Sequence, residues 1–384
     1  MKKILFIQLK GKSYGGVWQV IKSVGESLIQ KGYDVSVVSL RENPDNIVIE
    51  HDPKLKLTTI NPNDIWENTY TGKEIIDELK KFHLIEASKR LLIRIKHEIS
   101  IKKDTKKLHQ YIYEYNPDCI ITAQYQLINM IPKKLLNITI HEQHISFRES
   151  ISHKDTKRVF DKYKDKIKFL WLTKQTMLDA IEYGITNSYY IYNPVRFKSD
   201  KVSNVTKNKK LITIARLSTQ KRLDKMVSIA KEIFKDKKYQ DWTLEIYGNG
   251  PEEDKIKKLI GNHKQIKLMG VTNDPKKELL KASINLNTSD SEGFALSILE
   301  ANECGVPTVT LDFGESVKEE ILDGKTGTIA NDQKDYVKKL KGLMDNPKKL
   351  QELANNAKEF SKEFQPENIT EEWIKLFNKL NIKK

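Results

Sequence analysis

The sequence predicts an α/β protein made of two doubly wound domains, each a parallel sheet covered by helices on both faces. Three observations carry that expectation. Short apolar runs alternate with longer amphipathic stretches along the chain, the pattern of strand–helix–strand units. The alternation stops at Asn193-Pro194 and the polar stretch 198–210, then restarts; proline disfavours helix in the residue before it, and the composition there is that of a linker. A length of 384 residues also exceeds what one hydrophobic core usually serves. The expected domains are 1–195 and 196–365, with a last helix in 366–384 packing back on the first.

Taken in order, KKILFIQ reads as the first strand. Its apolar stretch runs only from Ile4 to Ile7 before Gln8, Lys10 and Lys12, so the basic start is expected to be a strand and not a signal peptide. A helix from about Gly16 to Gln30 and the run YDVSVVSL complete one βαβ unit, and LKLTTI, DCIITA, NITIH, IKFLWL and YYIYN supply further strands. Past the linker the strands are KLITIA, WTLEIYG, QIKLMG, SINLNT and VPTVTL. Open sheets of this kind bind ligands beyond the carboxyl ends of their strands, which makes the cleft between the domains the expected site.

Composition narrows the class. The chain is 38% hydrophobic and 31% charged, as in a globular protein, and no apolar run approaches the ~20 residues that span a bilayer. Cys119 and Cys304 lie in different predicted elements, so neither a disulfide framework nor a cysteine-rich metal site is expected, and a reducing cytoplasm is the expected compartment. A net charge of +15 favours an anionic partner: phosphorylated substrates, an acidic membrane face or nucleic acid.

Chemistry concentrates at strand ends. In GKSYGGVWQVI, Gly15 and Gly16 allow close backbone approach ahead of a helix whose first N–H groups can meet an anion, although a plain tight turn explains them equally well. The spacing is that of neither a dinucleotide fingerprint nor a P-loop. ARLSTQKRLD places Arg216, a planar fork, and Lys221, a mobile point charge, where they could clamp a diphosphate; solvated basic loop residues are the plain alternative. YGNGPEED forms a tight turn at Gly248, Gly250 and Pro251. In NTSDSEGFALSILEANECGVP a strand ends near Thr288, the chain turns over Gly293, and a helix starting near Phe294 or Ala295 carries Glu300 in its second turn. Carboxylates repel phosphate, so Glu292 and Glu300 read as acceptors for sugar and ribose hydroxyls, while the helix N-terminus and the basic pair carry the phosphates. Two glutamates on a solvated helix face are the alternative.

Together these motifs resemble family 4 glycosyltransferases of the GT-B fold, whose signature is two glutamates separated by seven residues after a strand. The likeness extends over most of the chain: GG after the first strand, TIHEQH at a strand end, YIYNP at the linker, ARLSTQK, YGNGP, EGFALSILE and ANECGVPTV. The resemblance implies a bacterial enzyme that transfers a hexose or N-acetylhexosamine from a UDP-sugar with retention of configuration. By position, Arg216 and Lys221 would hold the diphosphate, Glu292 the donor sugar and Glu300 the ribose. Gly293, Phe294, Ala295 and Leu296 would touch sugar and phosphate through the backbone, Val271 would border the base, and Gly15, Gly16 and Gly248 would line the donor site. His144 or His141 would approach the donor sugar from the first domain. Ala295 stands where the family commonly has glycine, which would narrow the sugar pocket. No covalent nucleophile and no metal or other cofactor are implied. The implied acceptor is a cell-surface glycan, a teichoic-acid-like polymer or a lipid-linked glycan at the inner face of the cytoplasmic membrane. A nucleotide-sugar epimerase of the same fold is the rival enzyme. A nucleic-acid-binding role is disfavoured, because aromatic residues are not interleaved with the basic runs.

One segment stands apart. Residues 79–107, LKKFHLIEASKRLLIRIKHEISIKKDTKK, hold ten Lys or Arg against three acidic residues. Phe82, Ile85, Leu92, Ile95 and Ile99 recur at helical intervals. The favoured expectation is a helix packed on the first sheet with a solvated basic face; the same cations could also meet an anionic membrane.

Overall fold

Strands buried on both faces read as unbroken apolar runs, and the chain uses them in two all-parallel sheets. The computed structural model describes residues 1–11, 16–42, 50–62, 72–81, 83–314 and 316–382, so Gly15 and Phe82 lie outside the described residues. The first sheet contains β1 (Lys3–Lys10), β2 (Asp34–Arg41), β3 (Lys56–Thr59), β4 (Cys119–Thr122), β5 (Thr139–Gln143), β6 (Lys168–Trp171) and β7 (Ser188–Tyr190), in the order β3-β2-β1-β4-β5-β6-β7. The second contains β8 (Lys210–Ile214), β9 (Thr243–Tyr247), β10 (Ile266–Gly270), β11 (Ile284–Asn287), β12 (Thr308–Leu311) and β13 (Gly327–Ala330), in the order β10-β9-β8-β11-β12-β13.

Strand order reverses between β1 and β4 in the first sheet and between β8 and β11 in the second. At such a switch point the connections leave to opposite faces and open a crevice at the carboxyl ends. The two crevices belong to the loops that carry Gly16, Arg216 and Glu292. The sequence reading did not foresee β13: its four residues, GTIA, sit between glycines and threonines with no alternation to mark them. Only the parallel ladder with β12, Thr308 opposite Gly327 through Leu311 opposite Ala330, makes them a strand.

Apolar side chains between sheet and helices form separate cores on the two sheets. Trp18, Ile21, Val24 and Leu28 of the helix Gly16–Gln30 are buried against Ile4, Phe6, Val35 and Val37. The last helix, Pro366–Lys379, returns to that same core: Trp373 meets Phe6 edge-on at 6.4 Å between ring centres, and Phe377 lies 5.7 Å from Tyr33. The second core is built from Leu211, Leu244, Ile246 and Ile284 with Met226, Ile229 and Tyr336 from flanking helices.

The helix Leu84–Tyr115 corrects the expectation for the basic segment. Of its 32 residues only Ala87, Asp104, Leu108 and Ile112 are buried, so it packs on the sheet through its last third. The apolar residues Ile85, Leu92, Ile95 and Ile99 do not face the sheet and are exposed. What docks the helix is a buried ion pair between Asp104 and Arg41, the last residue of β2.

Candidate active site

The loops leaving β8 and β11 are tied to each other before any ligand is considered. The Gln220 side-chain amide donates to the Ser291 carbonyl at 2.7 Å, the Asp290 N–H donates to the Gln220 carbonyl at 2.9 Å, and the Thr288 hydroxyl donates to the Lys221 carbonyl at 3.0 Å. This stitching brings Lys221 onto Glu292 as an ion pair, and the Ser289 hydroxyl donates to the same carboxylate oxygen at 2.6 Å. Arg222 and Lys225 are taken up by Asp290. Arg216, by contrast, is exposed at the mouth of the crevice and pairs with no described residue. Of the cations in this loop it is the one free to meet an anionic ligand.

Gly248 has a structural reason of its own. It adopts φ +140°, and an added Cβ would overlap the backbone carbonyl of Ala215, so glycine lets the β9 turn close on the loop that carries Arg216. Val271 follows β10 and is exposed.

The helix after Gly293 begins at Leu296, not at Phe294 or Ala295 as the sequence suggested. Ala295 is its N-cap residue and has no side chain that can cap it. Glu320, from the short helix Val317–Glu320, does so instead: the Ala295 N–H donates to Glu320 Oε2 at 2.9 Å. Glu320 is fully buried, and burial first, then the nearby Glu292 charge, pushes its carboxyl well above the usual range despite that backbone bond. Its Oε1 has no partner among the described residues, so nothing there offsets the cost of burying the charge. A raised carboxyl pKa favours the folded state at low pH, and the advantage is lost as pH rises from the ordinary glutamate range towards the folded value. Glu320→Gln keeps an acceptor for Ala295 without a charge to suppress. Its stability relative to the parent is therefore expected to grow by up to about 1.4 kcal/mol per pH unit above that range and to vanish in acid. Parallel denaturant titrations across pH check this, and a difference independent of pH would refute it.

Glu300 is not on a solvated face. It is 1% exposed, and both oxygens are held by Arg196, through Nε and, at 2.7 Å, through Nη2. Arg196 follows Asn193-Pro194 in the segment joining the two sheets. Sequence reasoning missed it, because one arginine in a linker carries no signal of a partner 104 positions away. Each carboxylate oxygen retains a second lone pair, so the pair can still accept from a hydroxyl.

Across the cleft, the first sheet brings its own loop ends to the same place. An added Cβ on Gly16 would lie 3.2 Å from Leu296 Cδ1, so the N-termini of the helices Gly16–Gln30 and Leu296–Glu303 face one another. An added Cβ on Gly293 would lie 2.7 Å from the His144 carbonyl carbon and overlap its oxygen, which places the loop after β5 directly on the Glu292–Phe294 turn. Glu319, also unforeseen, accepts from the Lys174 and Gln175 N–H groups at 2.9 and 2.8 Å and from the Tyr192 hydroxyl at 2.7 Å. It links the second sheet's loops to the N-terminus of the helix Lys174–Glu182. Phe294 stacks on Tyr192 at 5.3 Å.

The two histidines separate cleanly. His141 is fully buried on β5 between Phe160 and Phe169, with Nδ1 on Thr122 and Nε2 on Gln143 Oε1 at 2.8 Å. Burial lowers its pKa to about 4, so it is a neutral core residue with no face to the cleft, a correction to its candidacy as a donor-facing group. His144 lies at the cleft, its Nε2 3.6 Å from Glu142 Oε2. Among the described residues no cluster of three His, Cys, Asp or Glu side chains is placed to hold a metal.

Two parallel-sheet units with crevices at their switch points, facing each other across loops in contact, constitute the GT-B fold. Residues 195–360 match the family described as glycosyl transferases group 1. An uncharacterized glycosyltransferase of Haemophilus influenzae is 25% identical over 97% of this chain and 99% of its own length. The poly(ribitol-phosphate) alpha-N-acetylglucosaminyltransferase of Staphylococcus aureus is 29% identical over 54% of this chain and 43% of its own length, so this match spans less than half of that relative. Among solved structures, a variant of S. aureus TarM in complex with fondaparinux, alpha-GlcNAc-glycerol and UDP superposes with a TM-score of 0.76 at 17% identity, covering 98% of this chain and 100% of that one.

Proposed function

We propose that the protein transfers a hexose or N-acetylhexosamine from a UDP-sugar, with retention of configuration, to a cell-surface glycan, a teichoic-acid-like polymer or a lipid-linked glycan at the inner face of the cytoplasmic membrane. The observation that carries this reading is the juxtaposition in one crevice of the free Arg216, the Lys221–Glu292 pair and the N-terminus of the helix Leu296–Glu303, with the backbone of the His144 loop against Gly293. The S. aureus polymer transferase and the UDP held by TarM support the choice of donor and acceptor class. Those relatives are transferases, and nothing among them supports an epimerase.

In this reading Arg216 and the helix N–H groups take the diphosphate, and Lys221 is shared between phosphate and Glu292. The sugar hydroxyls bond to Glu292 and the ribose hydroxyls to the lone pairs that Arg196 leaves free on Glu300. Val271 borders the base and Gly16 faces the phosphates from the other domain. As the glycosidic bond to the diphosphate breaks, the negative charge gathers where these groups are already aimed, so stabilisation requires no reorganisation and no divalent ion. The acceptor hydroxyl attacks from the leaving-group face and its proton passes to a departing phosphate oxygen, which preserves configuration.

Saturating UDP is expected to raise the thermal midpoint, and the product linkage, read by NMR, is expected to keep the donor's anomeric configuration. Arg216→Ala should weaken UDP binding by about tenfold to a hundredfold, the loss of one charge-assisted contact. Stabilisation by ADP or GDP but not UDP would overturn the donor assignment, and an inverted linkage would overturn the mechanism.

A further inference from the structure

The helix Leu84–Tyr115 is long for what it covers. It precedes β4 and runs antiparallel to it, and its buried Asp104 meets Arg41 at the carboxyl end of β2. The twenty residues before Asp104 therefore extend about 30 Å past the carboxyl edge of the first sheet. That is the edge at which Gly16 and His144 stand. The helix Gly72–Lys80 accompanies this arm, joined to it where Arg90 reaches Glu78 at 3.3 Å.

The arm turns its apolar side away from the protein. At 3.6 residues per turn, Ala87, Asp104, Leu108 and Ile112 mark the face towards the sheet. Ile85, Leu92, Ile95 and Ile99 occupy the opposite face and are all exposed, Ile85 at 76% and Leu92 at 57%, and Leu84 and Leu91, at the margin of that face, are exposed as well. Leu79 of the companion helix is exposed as well. A stripe of this kind facing water is costly unless something covers it. Charge says what does. Arg90 and Arg94 are occupied by Glu78, Glu86 and Glu98, whereas Lys89, Lys96, Lys102 and Lys103 are exposed and pair with no described residue. The segment 79–107 holds ten Lys or Arg against three acidic residues. A second copy of the arm would bring like charges together. A polyanionic polymer would satisfy the lysines and leave the leucines and isoleucines in water. An anionic bilayer satisfies both, phosphates for the cations and the acyl boundary for the stripe.

We propose that this arm is a membrane-docking element that lies in the interface of an anionic bilayer, with Ile85, Leu92, Ile95 and Ile99 inserted and Lys89, Lys96, Lys102 and Lys103 at the level of the phosphates. Docking in this way sets the carboxyl edge of the first sheet, and with it the cleft, within reach of lipid headgroups. The inference stands on the arm's geometry and does not require the proposed transfer reaction.

The full-length protein is expected to co-sediment with vesicles of phosphatidylcholine mixed with phosphatidylglycerol, and not with phosphatidylcholine alone, and to be released by salt. The triple variant Leu92→Ser, Ile95→Ser, Ile99→Ser, which changes no charge, should weaken the partition by at least about tenfold. Lys89→Gln and Lys96→Gln should each weaken it by about fivefold. All of these side chains are exposed, so the circular-dichroism melting midpoint should not move, which separates lost docking from lost folding. Equal binding to both vesicle types, binding to neither, or binding that the serine variant leaves unchanged overturns the proposal. So does a dimer or larger assembly in light scattering that the serine variant returns to monomer while vesicles bind no protein.

Discussion

A Glu300→Ala chain is expected to be less stable than its parent by about 3 kcal/mol, the lower end of the cost of breaking a buried ion pair. Both oxygens of Glu300 are bonded to Arg196, and the carboxylate is 1% exposed. Removing it leaves a guanidinium with no counter-charge in a site where burial disfavours the charge and Glu300 offsets that cost. Arg196 keeps 24% of its side chain in solvent, which is why the lower end applies. Arg196→Met should cost less, because a lone buried carboxylate can take up a proton, as an arginine cannot give one up at neutral pH. The double variant Arg196→Met, Glu300→Met should lie closer to the parent than Glu300→Ala does, since nothing charged is left unpaired. Urea titrations of the three variants test this, and a loss below about 1 kcal/mol for Glu300→Ala would mean that the pair contributes no more than a surface contact. The same variant should raise the donor Michaelis constant if ribose hydroxyls use the remaining lone pairs, so stability and binding report separately on one residue.

Gly293→Ala is expected to lower kcat/KM by on the order of a hundredfold while leaving the melting midpoint nearly unchanged. The added methyl would overlap the His144 carbonyl oxygen and lie 3.1 Å from Ile145 Cα, both of which belong to the opposite side of the cleft. Such a clash is relieved by opening the cleft by about an ångström, a displacement that costs little packing but separates the groups that must meet around the reacting bond. Gly248→Ala is the contrasting case. Its obstacle, the Ala215 carbonyl, lies within the same sheet unit, and the residue sits at φ +140°, so the damage should appear as lost stability. Wild-type turnover in Gly293→Ala would show that the His144 loop need not touch the turn during the reaction.

Much of this was legible along the chain. Apolar runs located every strand but β13, the pause at Asn193-Pro194 marked where the pattern restarts, and Gly293 was visible as the turn between a strand and a helix. These are local readings, settled by neighbours within one turn or one strand. The partners of the carboxylates were not legible. Glu300, Glu319 and Glu320 read alike as helix glutamates, yet one is neutralised by Arg196, one binds the N-terminus of the helix Lys174–Glu182, and one is a buried acceptor for the Ala295 N–H.

The long basic helix draws the line between the two kinds of information. Spacing alone determined that Ile85, Leu92, Ile95 and Ile99 share one side of a helix, because 3.6 residues per turn follows from backbone geometry and needs no partner. It could not determine whether that side meets the sheet or the solvent, since the apolar period is the same in both cases. That was decided by where the helix is docked, through Asp104 on Arg41 and through Leu108 and Ile112 in the core, contacts between residues far apart in the chain. His141 and His144 repeat the lesson over three positions. Sequence placed both at one strand end, and the alternation of side chains across the sheet sent the first into the aromatic core, while the chain's turn after β5 set the second at the cleft.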